Sequence, residues 1–243
     1  MATRFDFAID PATHDAAKRM APAIHVVSAE RIAEELRKLF VHPNRARGLR
    51  LLRELDLIEP ILPELSACGE RDRAVRVVEG LAADTNAPVP FPLAFAAALN
   101  ALDASTVEAI AGRLKLSTAE TVRLCWLVEN RGVLLDAPTM RASRLKSLLV
   151  HPGIGDLLAL HRAIARAGGT TLAHVEFCER MIRETPPEVL NPPPVLTGED
   201  LIALALKPGP AFKRLLDAVR EAQLEGRVTT KEEALALVRQ LLA

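Results

Sequence analysis

VSAERIAEELRKLFVHPNRARGLRLLRELDLIEPILPEL, residues 27–65, is the stretch whose reading decides the fold. Ile32, Leu36, Leu39 and Phe40 recur at i, i+4, i+7 and i+8, a single apolar stripe at helical period. Ser28 stands where an N-cap belongs, its hydroxyl able to accept from a first-turn N–H that has no partner inside the helix. Glu30 falls at the positive end of the helix dipole, Arg37 and Lys38 at the negative end. After Pro43 a second helix carries Leu49, Leu52 and Leu55 on one side and Arg47, Arg50 and Arg53 on the other, and a third short piece closes the unit. Both apolar faces need cover, so the spacing predicts a helical array.

The row of arginines has two readings. In the first it is a solvated face, with Arg50 paired to Glu54 one turn on, an arrangement worth ~0.3 kcal/mol. In the second it tracks phosphates, because the guanidinium is a planar fork of donors that matches phosphate oxygens. Spacing alone leaves both open.

Composition agrees with helices. There is no Tyr and aromatics are 3%, whereas a sheet draws on aromatic and β-branched residues. A chain of 243 residues buries roughly 70 to 75% of its unfolded surface, so it needs no disulfide or metal staple. Lys+Arg equals Asp+Glu at 31 each, so nucleic-acid binding must come from local patches. The start, MATRFDFAIDPATHDAAKRMA, lacks the basic and apolar regions of a secretory signal, and the longest apolar run, around Pro92 to Leu102, is far short of the ~20 residues that span a bilayer. Cys68, Cys125 and Cys178 are widely separated, as expected of free thiols in a reducing cytosol. Neither they nor the six histidines show zinc spacing, so His161 and His174 are expected as core or surface residues.

Along the rest of the chain, Asp10 before Pro11 starts a helix. Ala74, Val77, Val78 and Leu81 continue the stripe, Asn86 to Pro92 reads as a loop, and PLAFAAALNALD reads as a buried helix. Ser105 with Glu108, Ser117 with Glu120, Thr197 with Asp200 and Thr230 with Glu233 read as helix starts with reciprocal caps. Trp126 is expected in the core. Residues 141–150 form a short basic helix with Arg141, Arg144 and Lys146, and Gly168 and Gly169 end the next one. Thr185 to Gly198 holds five prolines and is the best internal boundary. Beyond it Pro208, Gly209 and Pro210 make a tight turn, with Lys207 and Lys213 bracketing a helix start whose free N–H groups favour an anion.

VSAERIAEEL with PNRARGLRLLRELDLIEPILPEL, the segment Arg4 to Thr13, and TGEDLIALALKPGPAFKRLLDAVREAQLEG together resemble the class II tRNA nucleotidyltransferases, the CCA-adding enzymes and bacterial poly(A) polymerases. The resemblance covers nearly the whole chain but only the back part of the family's protein. It implies an all-α, elongated array of neck, body and tail without a sheet, about 12 to 14 helices by the spacing. It also implies three regions: 1–66 as an RNA-binding neck, 67–184 as the body and 185–243 as the tail. Ser28, Glu30, Arg31 and Glu34 fall on the family's neck motif as a brace. The arginine row then becomes part of a tRNA-contacting set, Arg45, Arg47, Arg50 and Arg53 with Lys207, Lys213 and Arg214. Ala205 takes the place of a glycine common before the lysine-proline-glycine-proline turn, a departure expected to stiffen the helix there.

The family's nucleotidyl transfer uses Mg2+ and CTP or ATP in an amino-terminal head carrying Asp-x-Asp, since paired metal ions align the hydroxyl and stabilise the leaving pyrophosphate. This chain contains no Asp-x-Asp, and Asn100 and Ala101 stand where some relatives carry a metal-binding His-Asp pair. The chain by itself is therefore expected to be cytoplasmic, cofactor-free and inactive, and to bind tRNA or other structured RNA. The alternative is a helical scaffold that docks a separately encoded catalytic head or another partner.

Overall fold

The computed structural model describes residues 7–81 and 88–242. Among them every regular element is helical. The sequence-based loop from Asn86 lies partly outside the described residues.

The helices form two compact units. One runs to Leu134 and takes up Gly155–Val175. It holds α1 (Pro11–Met20), a 3-10 turn (Ala21–Val26), α2 (Ala29–Val41), α3 (Arg45–Glu54), the short α4 (Ile58–Ile61) and α5 (Pro63–Ala67), and α6 (Arg71–Gly80). It continues with α7 (Phe91–Ala98), α8 (Ala104–Arg113), α9 (Thr118–Glu129) and most of α11 (Ile154–Gly168).

Its centre is α7, which buries Phe91 and every residue from Leu93 to Ala98. The helix begins at Phe91, inside the expected loop, because Pro92 can occupy a first-turn position without losing a hydrogen bond. Helices α2, α6 and α9 pack on α7. Phe40 of α2 meets Phe95 at 5.3 Å between ring centroids, and Phe91 stacks on Phe95 at 5.2 Å. Such ring pairs contribute ~1 kcal/mol each beyond the area they bury. Gly80 at the end of α6 sits against the backbone of α11, where a Cβ would come within 2.9 Å of the Ala163 carbonyl.

The second unit is Leu135–Ile154 with the chain from Glu176. It contains α10 (Ala142–Leu149), the end of α12 (Ala173–Glu184), the single turn α13 (Pro187–Leu190), α14 (Gly198–Ala203), α15 (Pro210–Leu224) and α16 (Lys231–Leu242). Leu201, Leu215, Val219, Ala222, Ala234 and Val238 from the last three helices make its core. The proline-rich segment before α14 is held from α15: the Arg220 guanidinium donates to the Pro192 carbonyl at 2.6 Å and to Asn191 Oδ1 at 2.6 Å.

The caps divide. Ser117 with Glu120 and Thr230 with Glu233 are reciprocal caps, and Asp200 accepts from the Thr197 N–H at 2.8 Å. Ser105 is not a cap. Asp103, two residues earlier, takes the Thr106 N–H at 2.9 Å and the Ser105 hydroxyl at 2.5 Å, so α8 starts sooner. Ser28 occupies the N-cap position of α2, but its hydroxyl makes no capping bond.

Ala205 explains the glycine it replaces. It sits at φ +60, just past α14, with its N–H on the Ile202 carbonyl at 2.8 Å and the Leu206 N–H on the Leu201 carbonyl at 3.2 Å. That pair of bonds is a Schellman cap, whose left-handed residue is ordinarily glycine. Alanine therefore does not stiffen the helix; it strains its end. A left-handed non-glycine costs about 1 to 2 kcal/mol, and glycine's greater unfolded freedom returns about 0.5 to 1 kcal/mol of that. Ala205→Gly is expected to raise stability by ~0.5 to 1 kcal/mol in a urea titration; a lower midpoint would contradict the strain.

Candidate nucleic-acid interface

The stretch that organises the sequence is anchored through α2. The Glu30 carboxylate accepts from Lys115 Nζ at 2.6 Å, and that bond holds its carboxyl below the ordinary range. Arg37 presents Nε and Nη2 to the two oxygens of Glu120 at 2.7 and 2.8 Å, and also lies 5.6 Å from the centre of the Phe91 ring. The same carboxylate caps Ser117 of α9, and the Arg37 bond first of all brings its pKa down to about 2. The brace residues implied by resemblance thus part ways. Glu30 ties α2 to the connection between α8 and α9, Glu34 only reaches Lys38 on its own helix at 3.0 Å, and Arg31 is exposed without an ion-pair partner among the described residues.

Helix α3 follows from a buried arginine. Arg45 is 4% exposed, and its Nε donates to the Phe40 carbonyl at 2.9 Å, across the turn from α2. Burial pushes the guanidinium below its ordinary value. Arg45 is therefore not placed to meet RNA; its donor satisfies a carbonyl at the end of α2 that the helix itself leaves without a partner.

The other three arginines of the row line one side of α3, half-buried rather than fully solvated. Arg47 Nη2 donates to the Phe7 carbonyl at 2.9 Å. Arg50 pairs with Glu79 and Arg53 with Asp72, both on α6. The expected Arg50–Glu54 pair within α3 is replaced by this link between helices. Arg50 and Arg53 thus make a seam between α3 and α6 whose outer edge is open to solvent.

In the second unit, Lys207, Lys213 and Arg214 are exposed, Lys207 in the turn, Lys213 in the first turn of α15 and Arg214 just after it. None has an ion-pair partner among the described residues. Gly209, the N-cap, is extended at φ 170, a conformation open to any residue, and its carbonyl takes the Phe212 N–H at 3.0 Å.

Other candidates resolve as core or surface. His161 Nε2 reaches the Asn130 carbonyl at 3.0 Å, so that nitrogen must carry the proton. Nδ1 is then an acceptor, and His174 Nε2, 3.3 Å away, donates to it. Burial lowers the pKa of His161 to about 4 and shifts that of His174 downward as well, which favours the neutral form of both. Trp126 is half-buried, with the Arg123 guanidinium 5.6 Å from its ring centre. All three cysteines are free. Among the described residues no group of three or more His, Cys, Asp or Glu side chains is placed to hold a metal ion. No helix among them is long and apolar enough to cross a membrane. An open groove of about 990 Å³ runs along α2, floored by Ile32, Leu36, Leu39 and Ile61.

Residues 6–68 match the family model described as "Probable RNA and SrmB- binding site of polymerase A". The chain is 28% identical to an A-adding tRNA nucleotidyltransferase of Deinococcus radiodurans, over 97% of this chain and 65% of that protein. It is 26% identical to a CC-adding tRNA nucleotidyltransferase of Synechocystis, over 99% of this chain and 61% of that protein. Its fold matches the Thermotoga maritima CCA-adding enzyme complexed with tRNA at a TM-score of 0.54 and 18% identity, covering the whole of this chain and 59% of that one. The chain is class II tRNA nucleotidyltransferase-like.

The likeness has a defined extent, since this tRNA nucleotidyltransferase-like chain spans 59 to 65% of the length of these three relatives. The matched RNA-binding region contains α2 and α3, and therefore the whole arginine row. Sequence reasoning identified the row but neither its partners on α6 nor the Arg37–Glu120 clamp. The clamp had half a signal, because Glu120 stood out as a cap, yet nothing in the sequence linked it to a residue 83 positions earlier. Arg45→Ala is expected to destabilise the chain by about 1 to 3 kcal/mol, by orphaning the buried Phe40 carbonyl, and to leave tRNA affinity of the folded protein unchanged. Stability in urea and tRNA retention on a filter check the two halves separately.

Proposed function

We propose that this chain grips tRNA, or another RNA of similar shape, for nucleotide addition at the RNA 3′ end by a catalytic head outside the chain, in the cytoplasm. The observation that carries this reading is the set of exposed cations Lys207, Lys213 and Arg214 around the start of α15, none of them ion-paired among the described residues, in a fold shared with an enzyme captured with tRNA. Contacts of this kind go to phosphates and shape, and readout of double-stranded RNA is mostly of that sort. Metal ions, CTP and ATP belong to the head in this reading, and so does the choice between CCA and poly(A). The purified chain has a grip and no chemistry of its own.

Filter binding of tRNA across a KCl series tests the proposal. Affinity is expected to fall linearly with salt on logarithmic axes, because each phosphate contact releases counterions. Lys213→Ala with Arg214→Ala is expected to weaken binding and flatten the slope by about 1 to 2. Retention that ignores salt, or no retention at all, would contradict it.

The groove along α2 favours a second reading, a helical scaffold that docks a separately encoded head. Its floor is apolar, and Met20, Val26 and Val41 are exposed apolar side chains on the elements that build or flank it. Grooves of this kind take the apolar face of a partner helix. On this reading a chain bearing Asp-x-Asp co-purifies with the wild type and is lost with Val41→Glu; co-purification untouched by that change would speak against the groove.

A further inference from the structure

Helix α6 buries Ala74, Val75, Val77 and Val78 and turns Asp72, Arg73, Arg76 and Glu79 outward. On an isolated helix Arg76 would have two carboxylates within reach, Asp72 four residues before it and Glu79 three after. Both are drawn away. Asp72 binds Arg53 and Glu79 binds Arg50, each from α3. Arg73 and Arg76 are exposed and have no ion-pair partner among the described residues. The pairing order, 50 with 79 and 53 with 72, makes α3 and α6 antiparallel and sets Arg76 between the two ion pairs. Glu54 and Glu70, the remaining acids of these two helices and their caps, fall at the Arg53 end. The cross-helix pairs therefore move uncompensated positive charge from α3 onto α6, at Arg76 above all.

We propose that Arg73 and Arg76 contact RNA phosphates, and that Arg50 and Arg53 are positioning residues that hold α6 in register and keep its acids from Arg76. The inference rests on the RNA-binding reading above and names the part of the first unit that meets the backbone. Residues three apart on a helix rise by ~4.5 Å and lie on one face. Two guanidinium forks on that face suit successive phosphates of one strand better than they suit bases, which need a side chain directed into a groove.

The test uses the full chain and tRNA in filter binding across a KCl series. Arg73→Ala with Arg76→Ala is expected to weaken binding on the order of tenfold and flatten the salt slope by about 1 to 2, with far-UV circular dichroism unchanged because both residues are exposed. Arg239→Ala on α16, which removes one positive charge elsewhere, is expected to leave binding as it was. Arg50→Ala with Arg53→Ala is expected to weaken binding although Arg73 and Arg76 remain, because Asp72 and Glu79 are released toward Arg76. Adding Asp72→Asn and Glu79→Gln to that variant is expected to restore the slope, which a purely structural role would not do. If wild-type chain binds tRNA and the Arg73, Arg76 variant binds it equally with an unchanged slope, the contact assignment is overturned. If removal of the two acids restores nothing, the positioning role is overturned. If wild type itself does not bind, the RNA reading fails first and this inference with it.

Discussion

Much of the first unit hangs on the burial of Phe40. Its ring is fully covered between α2 and α7, against Phe95 and Phe91, and its carbonyl receives the buried Arg45 guanidinium. The ring fixes α2 on the central helix, and the carbonyl fixes where α3 begins relative to α2. The direction of α3 then decides which acids its arginines can reach, and those lie on α6. A packing contact in the core thereby sets the distribution of charge at the surface.

This matters because the chain has no net charge to steer with. A neutral protein that binds a polyanion must concentrate its cations locally, and its acids must be occupied elsewhere. Glu30, Glu120, Asp72 and Glu79 each hold a cation from elsewhere in the first unit. Exposed ion pairs add little to stability individually. Their larger effect here is to decide which arginines keep a free charge.

The helices were legible because their signals are local. The stripes of α2 and α3, the apolar run of α7 and the Ser117–Glu120 and Thr230–Glu233 caps each lie within a few residues of sequence, where periodicity and side-chain reach suffice. Two helix ends escaped, at Asp56 and Ala205, because each places a residue other than glycine in the left-handed region that usually announces a stop. The arginine row was visible as a pattern but not as a site. Whether an arginine is buried like Arg45, locked like Arg50 or open like Arg76 depends on helices brought together from distant sequence, and spacing within one helix carries no record of that. Likewise the apolar groove appears only when α2, the 3-10 turn and the residues around α4 are assembled.

The most direct test of the account is amide hydrogen exchange of the full chain with and without tRNA, read by mass spectrometry peptide by peptide. Bound RNA is expected to slow exchange in the peptides that carry α3 and α6 and in the turn leading into α15, and to leave the groove side of α2 as it was. Exchange unchanged across α3 and α6 while the groove becomes protected would contradict the claim that this helical array meets RNA through its arginine seam.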